Sequence, residues 1–233
     1  MSTPKLSLTH LVRRPVETAS SSPPLLLLLH GIGSNEEDLL GLAPYVDERF
    51  LVVSARAPIV MGPASYGWFN IEFTPQDIVA DVEQAKKSLQ LLPSFIDELI
   101  ETYGADNKCV YLMGFSQGAM MSLALALTSP ERIAGAVIMS GRFPSQVLEQ
   151  EPDKRALEKM PFLVTHGIYD PVLLIEQGRS VREKLMALPV ELTYREYPMG
   201  HEVSMESLRD VSAWLRRSLD QRYAQGKTSQ ASK

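Results

Sequence analysis

Short, unbroken apolar runs alternate with longer amphipathic stretches along this chain. Leu25–Leu29, Phe50–Ser54, Ala134–Met139 and Pro161–Thr165 are apolar throughout or nearly so. Runs of that length predict strands buried on both faces. Val190–Tyr197 reads as a further strand, and Lys5–Val12 alternates weakly, as an edge strand would. Between Lys5–Val12 and Leu25–Leu29, Ser20–Pro24 predicts a turn. Helical spacing fills the other gaps. Ile78, Val82, Ala85, Leu89, Leu92, Ile96 and Leu99 step by four and three, which is one apolar stripe on a long helix. Pro93 lies within it and predicts a kink or break near Ser88–Leu92. Asn35–Leu42, Gln117–Thr128, Leu173–Leu188 and Met205–Leu219 predict four more helices. The alternation implies an α/β fold: a mostly parallel twisted sheet with helices on both faces. With 233 residues, 45% of them apolar, the chain can bury one sizeable core. We expect a single domain over 1–222 and a flexible polar tail over 223–233.

The chemistry begins at one boundary. Residues 108–122 read as an apolar run, then Gly114-Phe115-Ser116-Gln117-Gly118, then a helical stretch. This is G-x-S-x-G set between a strand and a helix. On so sharp a turn the serine hydroxyl is lifted clear of the sheet above a helix N-terminus. In a loop the same five letters would be a flexible turn. In this setting Ser116 is a candidate nucleophile, which needs a base, a carboxylate to orient the base and an oxyanion hole.

In sheets of this type the partners follow in the order acid, then histidine. Of the four histidines only His166 and His201 follow Ser116. His166 ends an apolar run and reads as a strand-end residue. His201 lies in a loop after Val190–Tyr197, where it can reach over the sheet, and it is the candidate base. Among the intervening acids, Glu149, Glu151, Asp153 and Glu158 belong to a charged connection, and Glu176 and Glu183 to a helix face. Glu191 and Glu196 fall in a strand pattern. Asp170 follows the end of the Pro161–Thr165 strand, where open α/β sheets place functional groups. Alone it would be a turn residue; between Ser116 and His201 it is the candidate orienter.

Leu25–Leu29 runs into His30-Gly31-Ile32-Gly33, an H-G-x-G loop of the kind that supplies an oxyanion-hole amide. Ile32 and Gln117 N–H are the expected donors, and His30 is expected to hold the loop by a backbone hydrogen bond. The long loop Ala55–Pro75 carries Tyr66, Trp68 and Phe69. Each is a candidate pocket wall, and core packing is an equal alternative for each. Ser145–Met160 is too short to build a large lid, which predicts an open, shallow site.

Composition narrows the classes. A net charge of −5 with no basic stripe argues against nucleic acid. The single cysteine, Cys109, excludes an internal disulfide and sits in a strand pattern. No apolar run approaches the ~18–20 residues of a membrane span, and no signal-peptide pattern opens the chain, so we expect a cytoplasmic protein. The scattered histidines show no metal-ligand spacing, and we expect neither metal nor cofactor.

The motifs His30-Gly-Ile-Gly-Ser-Asn-Glu-Glu-Asp-Leu39, Gly67-Trp-Phe69, Gly114-Phe-Ser-Gln-Gly-Ala119, His166-Gly-Ile-Tyr-Asp-Pro-Val172 and Met199-Gly-His-Glu202 occur in that order. Together they resemble the phospholipase/carboxylesterase family of small α/β-hydrolases, which includes the acyl-protein thioesterases. The resemblance runs from about Leu25 to Leu219 and looks closer to the bacterial branch. Eukaryotic thioesterases carry an Asp soon after the H-G-x-G motif, where this chain has Ser34-Asn35. Some also carry an N-terminal cysteine that this sequence lacks. The resemblance implies hydrolysis of carboxylic esters, acyl thioesters or lysophospholipids by Ser116, Asp170 and His201. It implies Ile32 and Gln117 as oxyanion donors, Trp68 in a substrate-flanking loop, no cofactor, and a homodimer as in several members. Two other readings use the same residues: a catalytically silent binding protein, and an acyltransferase or peptidase.

Overall fold

The computed structural model describes residues 5–16, 22–73 and 78–231. Within them, seven strands form one sheet in the order β1-β3-β2-β8-β9-β10-β11. These are β1 (His10–Arg13), β2 (Leu25–Leu29), β3 (Leu51–Ala55), β8 (Val110–Phe115), β9 (Gly135–Met139), β10 (Pro161–Gly167) and β11 (Glu191–Tyr197). Only β1 runs antiparallel, against β3 at the edge; every other pairing is parallel.

The unbroken apolar strands serve two cores at once. Leu25, Leu27 and Leu29 of β2 face one layer with α2 (Val82–Tyr103), α3 (Gln117–Thr128) and α4 (Ile175–Met186). Leu26 and Leu28 face the other, with α1 (Glu36–Leu40) and α5 (Met205–Ala231). Side chains alternate faces along a strand, so a leucine at every position is what a strand covered on both sides requires. Helix α3 lies deepest: Gln117 through Leu127 are all buried.

Four expectations are revised. The long helix is uninterrupted from Val82 to Tyr103 with Pro93 inside it. One lost backbone bond is offset where Leu92, Phe95, Ile96 and Leu99 are all buried around the proline. The segment after Ala55 is not a plain loop. It forms a hairpin of β4 (Ile59–Gly62) and β5 (Ser65–Gly67), then β6 (Ile71–Phe73), which pairs with β7 (Ile78–Ala80). Ile78, taken from the sequence as the start of the helical stripe, belongs to β7, and Asp81 caps the helix through a bond from Gln84 N–H at 3.0 Å. The closing helix also runs on to Ala231, through most of the expected tail. Ser20–Ser21 and Thr74–Pro75 lie outside the described residues. The connection 145–160 contains turns and no helix or strand.

Candidate active site

Ser116 occupies the step from β8 into α3 with φ 53° and ψ −114°. A non-glycine residue is strained there, at a cost of about 1–3 kcal/mol. Contacts on every side hold it. Ser116 N–H donates to the Met139 carbonyl of β9 at 2.9 Å. A Cβ on Gly118 would lie 1.9 Å from the Leu29 carbonyl, and one on Gly114 would lie 2.3 Å from the Gly118 carbonyl. The two glycines are what let α3 start hard against β2 and β8.

The three distant candidates meet at this point. His201 Nε2 is 2.9 Å from Ser116 Oγ, and His201 Nδ1 is 2.7 Å from Asp170 Oδ2. With an ionised Asp170, Nδ1 carries the proton and Nε2 is the acceptor facing the hydroxyl. The Asp170 side chain is fully buried. Its Oδ1 accepts from Val172 N–H at 2.9 Å and Leu173 N–H at 2.8 Å. The turn role and the orienting role are therefore filled by two different oxygens of one carboxylate. His166 stands behind it on β10, fully buried, with Nε2 2.7 Å from the Leu173 carbonyl and 3.6 Å from Asp170 Oδ2. Its Nδ1 has no hydrogen-bond partner and its ring packs on Gly178.

The loop after β2 is fixed from two directions. His30 Nε2 accepts from Ala57 N–H at 3.0 Å, which makes Nδ1 the protonated nitrogen, donating to the Gly31 carbonyl at 2.7 Å. Burial pushes this imidazole below its ordinary value, so it is neutral and structural, as expected. On the other side Gly33 N–H donates to the Tyr66 carbonyl and Tyr66 N–H to the Ser34 carbonyl, both at 2.8 Å. Arg56 stacks 4.4 Å from the Tyr66 ring centre and bonds Glu36 through two nitrogens, which holds the Glu36 carboxyl below its usual range.

Ile32 and Gln117 line a cavity of about 170 Å³ together with Ser116 and His201. The first amides of a helix have no partner within it, so Gln117 N–H is free to serve an anion in that cavity. Apolar side chains make up most of the remaining wall: Phe69, Ile71, Phe115, Met120, Val172 and Leu173.

Of the three aromatic candidates only Phe69 lines this cavity. Trp68 is fully buried in the α2/α3 core, where its Nε1–H donates to the His30 carbonyl at 3.0 Å. Tyr66 braces the H-G-x-G loop from outside. Sequence reasoning passed over Met120, Val172, Leu173 and Arg142. Met120 sits one helical turn after Ser116, and Val172 and Leu173 directly follow Asp170. Arg142 comes just past the end of β9, so the strand-end rule could have found it. The side chain of Gln117 gave no signal. It accepts from Trp68 N–H at 2.7 Å and donates to the Phe69 carbonyl at 2.7 Å, tying the elbow to the aromatic segment.

Comparison with known proteins gives the family. The phospholipase/carboxylesterase family model matches residues 14–219. The chain belongs to the phospholipase/carboxylesterase family. As a member of it, the chain is a carboxylic ester hydrolase with the α/β-hydrolase fold. A relative named acyl-protein thioesterase 1, from Kluyveromyces lactis, is 30% identical over 224 residues, covering 88% of this chain and 97% of that protein. The carboxylesterase SOBER1 of Arabidopsis thaliana is 27% identical over 68% of this chain and 70% of its own length. Among solved structures, esterase PE8 superposes with a TM-score of 0.77 at 28% identity, covering 91% of this chain and 99% of that one. Among the described residues of this esterase, no helix is long and apolar enough to cross a membrane, and no cluster of three metal-ligating side chains occurs.

Proposed function

We propose that this family member is a serine carboxylesterase that hydrolyses short-to-medium acyl esters through an acyl-enzyme. The observation that carries the reading is the continuous chain Ser116 Oγ, His201 Nε2, His201 Nδ1, Asp170 Oδ2, at 2.9 and 2.7 Å. Ser116 Oγ attacks the acyl carbonyl while its proton passes to His201 Nε2. The oxyanion forms at the Ile32 and Gln117 amides. Such donors are worth about 3–4 kcal/mol each in the transition state. The imidazolium, steadied by Asp170, then gives its proton to the leaving alcohol. Water repeats the two steps, releasing the acid and restoring the serine.

The cavity size supports a modest acyl group: about 170 Å³ falls below the roughly 300–1,000 Å³ of sites for drug-sized ligands. A thiolate can leave by the same route, and the thioesterase name of one relative makes acyl thioesters the second substrate class to assay. The experiment is turnover of p-nitrophenyl butyrate by the wild type and Ser116→Ala, with fluorophosphonate labelling of both. The wild type should hydrolyse the ester and take the label. The variant should lose about four or more orders of magnitude in kcat and take none. Comparable turnover by the two proteins would overturn the assignment, and an unlabelled, inactive wild type would favour a silent binding role.

A further inference from the structure

A second cavity, of about 280 Å³, adjoins the first. Phe69, Ala80, Met120 and Arg142 line both, so these four residues form the partition between them. Beyond the partition, Val79, Val82, Phe143, Pro144 and Val147 add apolar wall. Ser145, Gln146 and Lys184 line it too and are exposed, so this cavity opens to solvent.

Three members of the partition are fixed. Phe69 is buried, and its carbonyl accepts from the Gln117 side chain at 2.7 Å, which also holds the Trp68 amide. Ala80 carries only a methyl group, and its backbone pairs with Ile71 across β6 and β7. The backbone before Arg142 is pressed against α3, where a Cβ on Gly141 would lie 2.8 Å from Ala119 Cβ. Met120 is different. It sits one turn into α3, with its N–H 3.2 Å from the Ser116 carbonyl. Helical side chains lean back toward the N-terminus, and here the N-terminus is the candidate nucleophile. A thioether chain is unbranched and turns about three bonds. It can fill a gap closely and still be pushed out of it.

We propose that Met120 is the specificity-determining residue for acyl length: its side chain stands between the acyl cavity and the second cavity, and a long acyl chain reaches the second only by displacing it. The proposal rests on the esterase reading of Ser116, with the acyl group in the first cavity. Shortening the side chain at 120 joins the two spaces. Each methylene that then passes from water to apolar wall adds up to about fourfold to kcat/KM.

The readout is kcat/KM for p-nitrophenyl octanoate over p-nitrophenyl butyrate, taken within each protein so that a general loss of activity cancels. Met120→Ala should raise this ratio about tenfold or more over the wild type, the worth of about two further methylenes. Met120→Val should move it the same way by less, and carries the test should the alanine variant not fold. Met120→Phe should lower it. Ile71→Ala widens the first cavity on a wall that the second does not share, and should move the ratio less than Met120→Ala does. A ratio unmoved by the Met120 variants, or moved as far by Ile71→Ala, would overturn the assignment and leave the esterase standing. Butyl and octyl acetate, followed by acid release, vary the alcohol chain instead. Their ratio should stay at the wild-type value in the Met120 variants, and a shift as large as in the acyl series would overturn the acyl assignment. A wild type that turns over none of the four esters would overturn the esterase reading, and this one with it.

Discussion

His166 closes the loop that carries Asp170 by bonding to the Leu173 carbonyl at 2.7 Å across its base. The same carboxylate that this loop presents to His201 accepts the Val172 and Leu173 amides. Loop shape and carboxylate position are thus one structure.

It follows that His166 acts on turnover without touching substrate. His166→Ala leaves the half-buried Leu173 carbonyl without this partner, which costs up to about 1–3 kcal/mol of stability. It should lower kcat for p-nitrophenyl butyrate while KM stays close to the wild-type value. His166→Gln, which keeps an N–H donor, should recover part of the kcat. Denaturant melts and steady-state kinetics on the three proteins check this; a purely structural histidine would move the melt and spare kcat in the surviving folded fraction.

Gln117 makes the corresponding connection at the elbow. Gln117→Ala strands the Trp68 amide and the Phe69 carbonyl, for about 1–3 kcal/mol per group. It should lower the melting temperature and shift the acyl-length profile, because Phe69 is part of the cavity wall. Gln117→Glu keeps the acceptor for Trp68 N–H and loses the donor to Phe69, so it should fall between the two. An unchanged profile across C2 to C12 esters would count against the connection.

The backbone at Ser116 stores strain, and glycine tolerates positive φ that alanine does not. Ser116→Gly should therefore be more stable than Ser116→Ala by about 1–2 kcal/mol, with both inactive. Chemical denaturation of the two variants reads the difference directly.

His30 sets a pH dependence of stability. Burial lowers its folded pKa below the unfolded value of about 6.5. The unfolded chain therefore binds the extra proton first as the pH drops. The stabilisation from neutral His30 is complete above about pH 6.5. It is lost as the pH falls toward the depressed folded value. The melting temperature should decline from pH 7.5 to pH 5.5, and His30→Gln, less stable throughout, should show a flatter profile in that window. Equal slopes would assign the decline to other groups.

Much of this was legible in the sequence because single constraints dominate there. Five consecutive leucines have no home but a strand covered on both faces, and β2 is Leu25–Leu29. Ser116, Asp170 and His201 could be brought together because each follows a strand whose end is marked. The segment after Ala55 was not legible. Strands of three or four residues are too short to show a period, and their partners are other short pieces of the same segment. Trp68 and Phe69 are adjacent aromatics that point to different places, one into the core and one into the cavity. The Gln117 side chain, bonded to both their backbones, holds the segment between them. Pro93 misled for the opposite reason: a local rule gave way to burial on either side of it.

The sheet order spreads the reacting groups from centre to rim. The hydroxyl stands on β8 in mid-sheet, at the head of a helix sealed on every side. The imidazole hangs from the loop after β11, an edge strand. The proton carrier is thus tethered to an edge of the sheet and the attacking oxygen to its centre. We expect the edge to open first on warming, so that turnover is lost at a lower temperature than the central strands are.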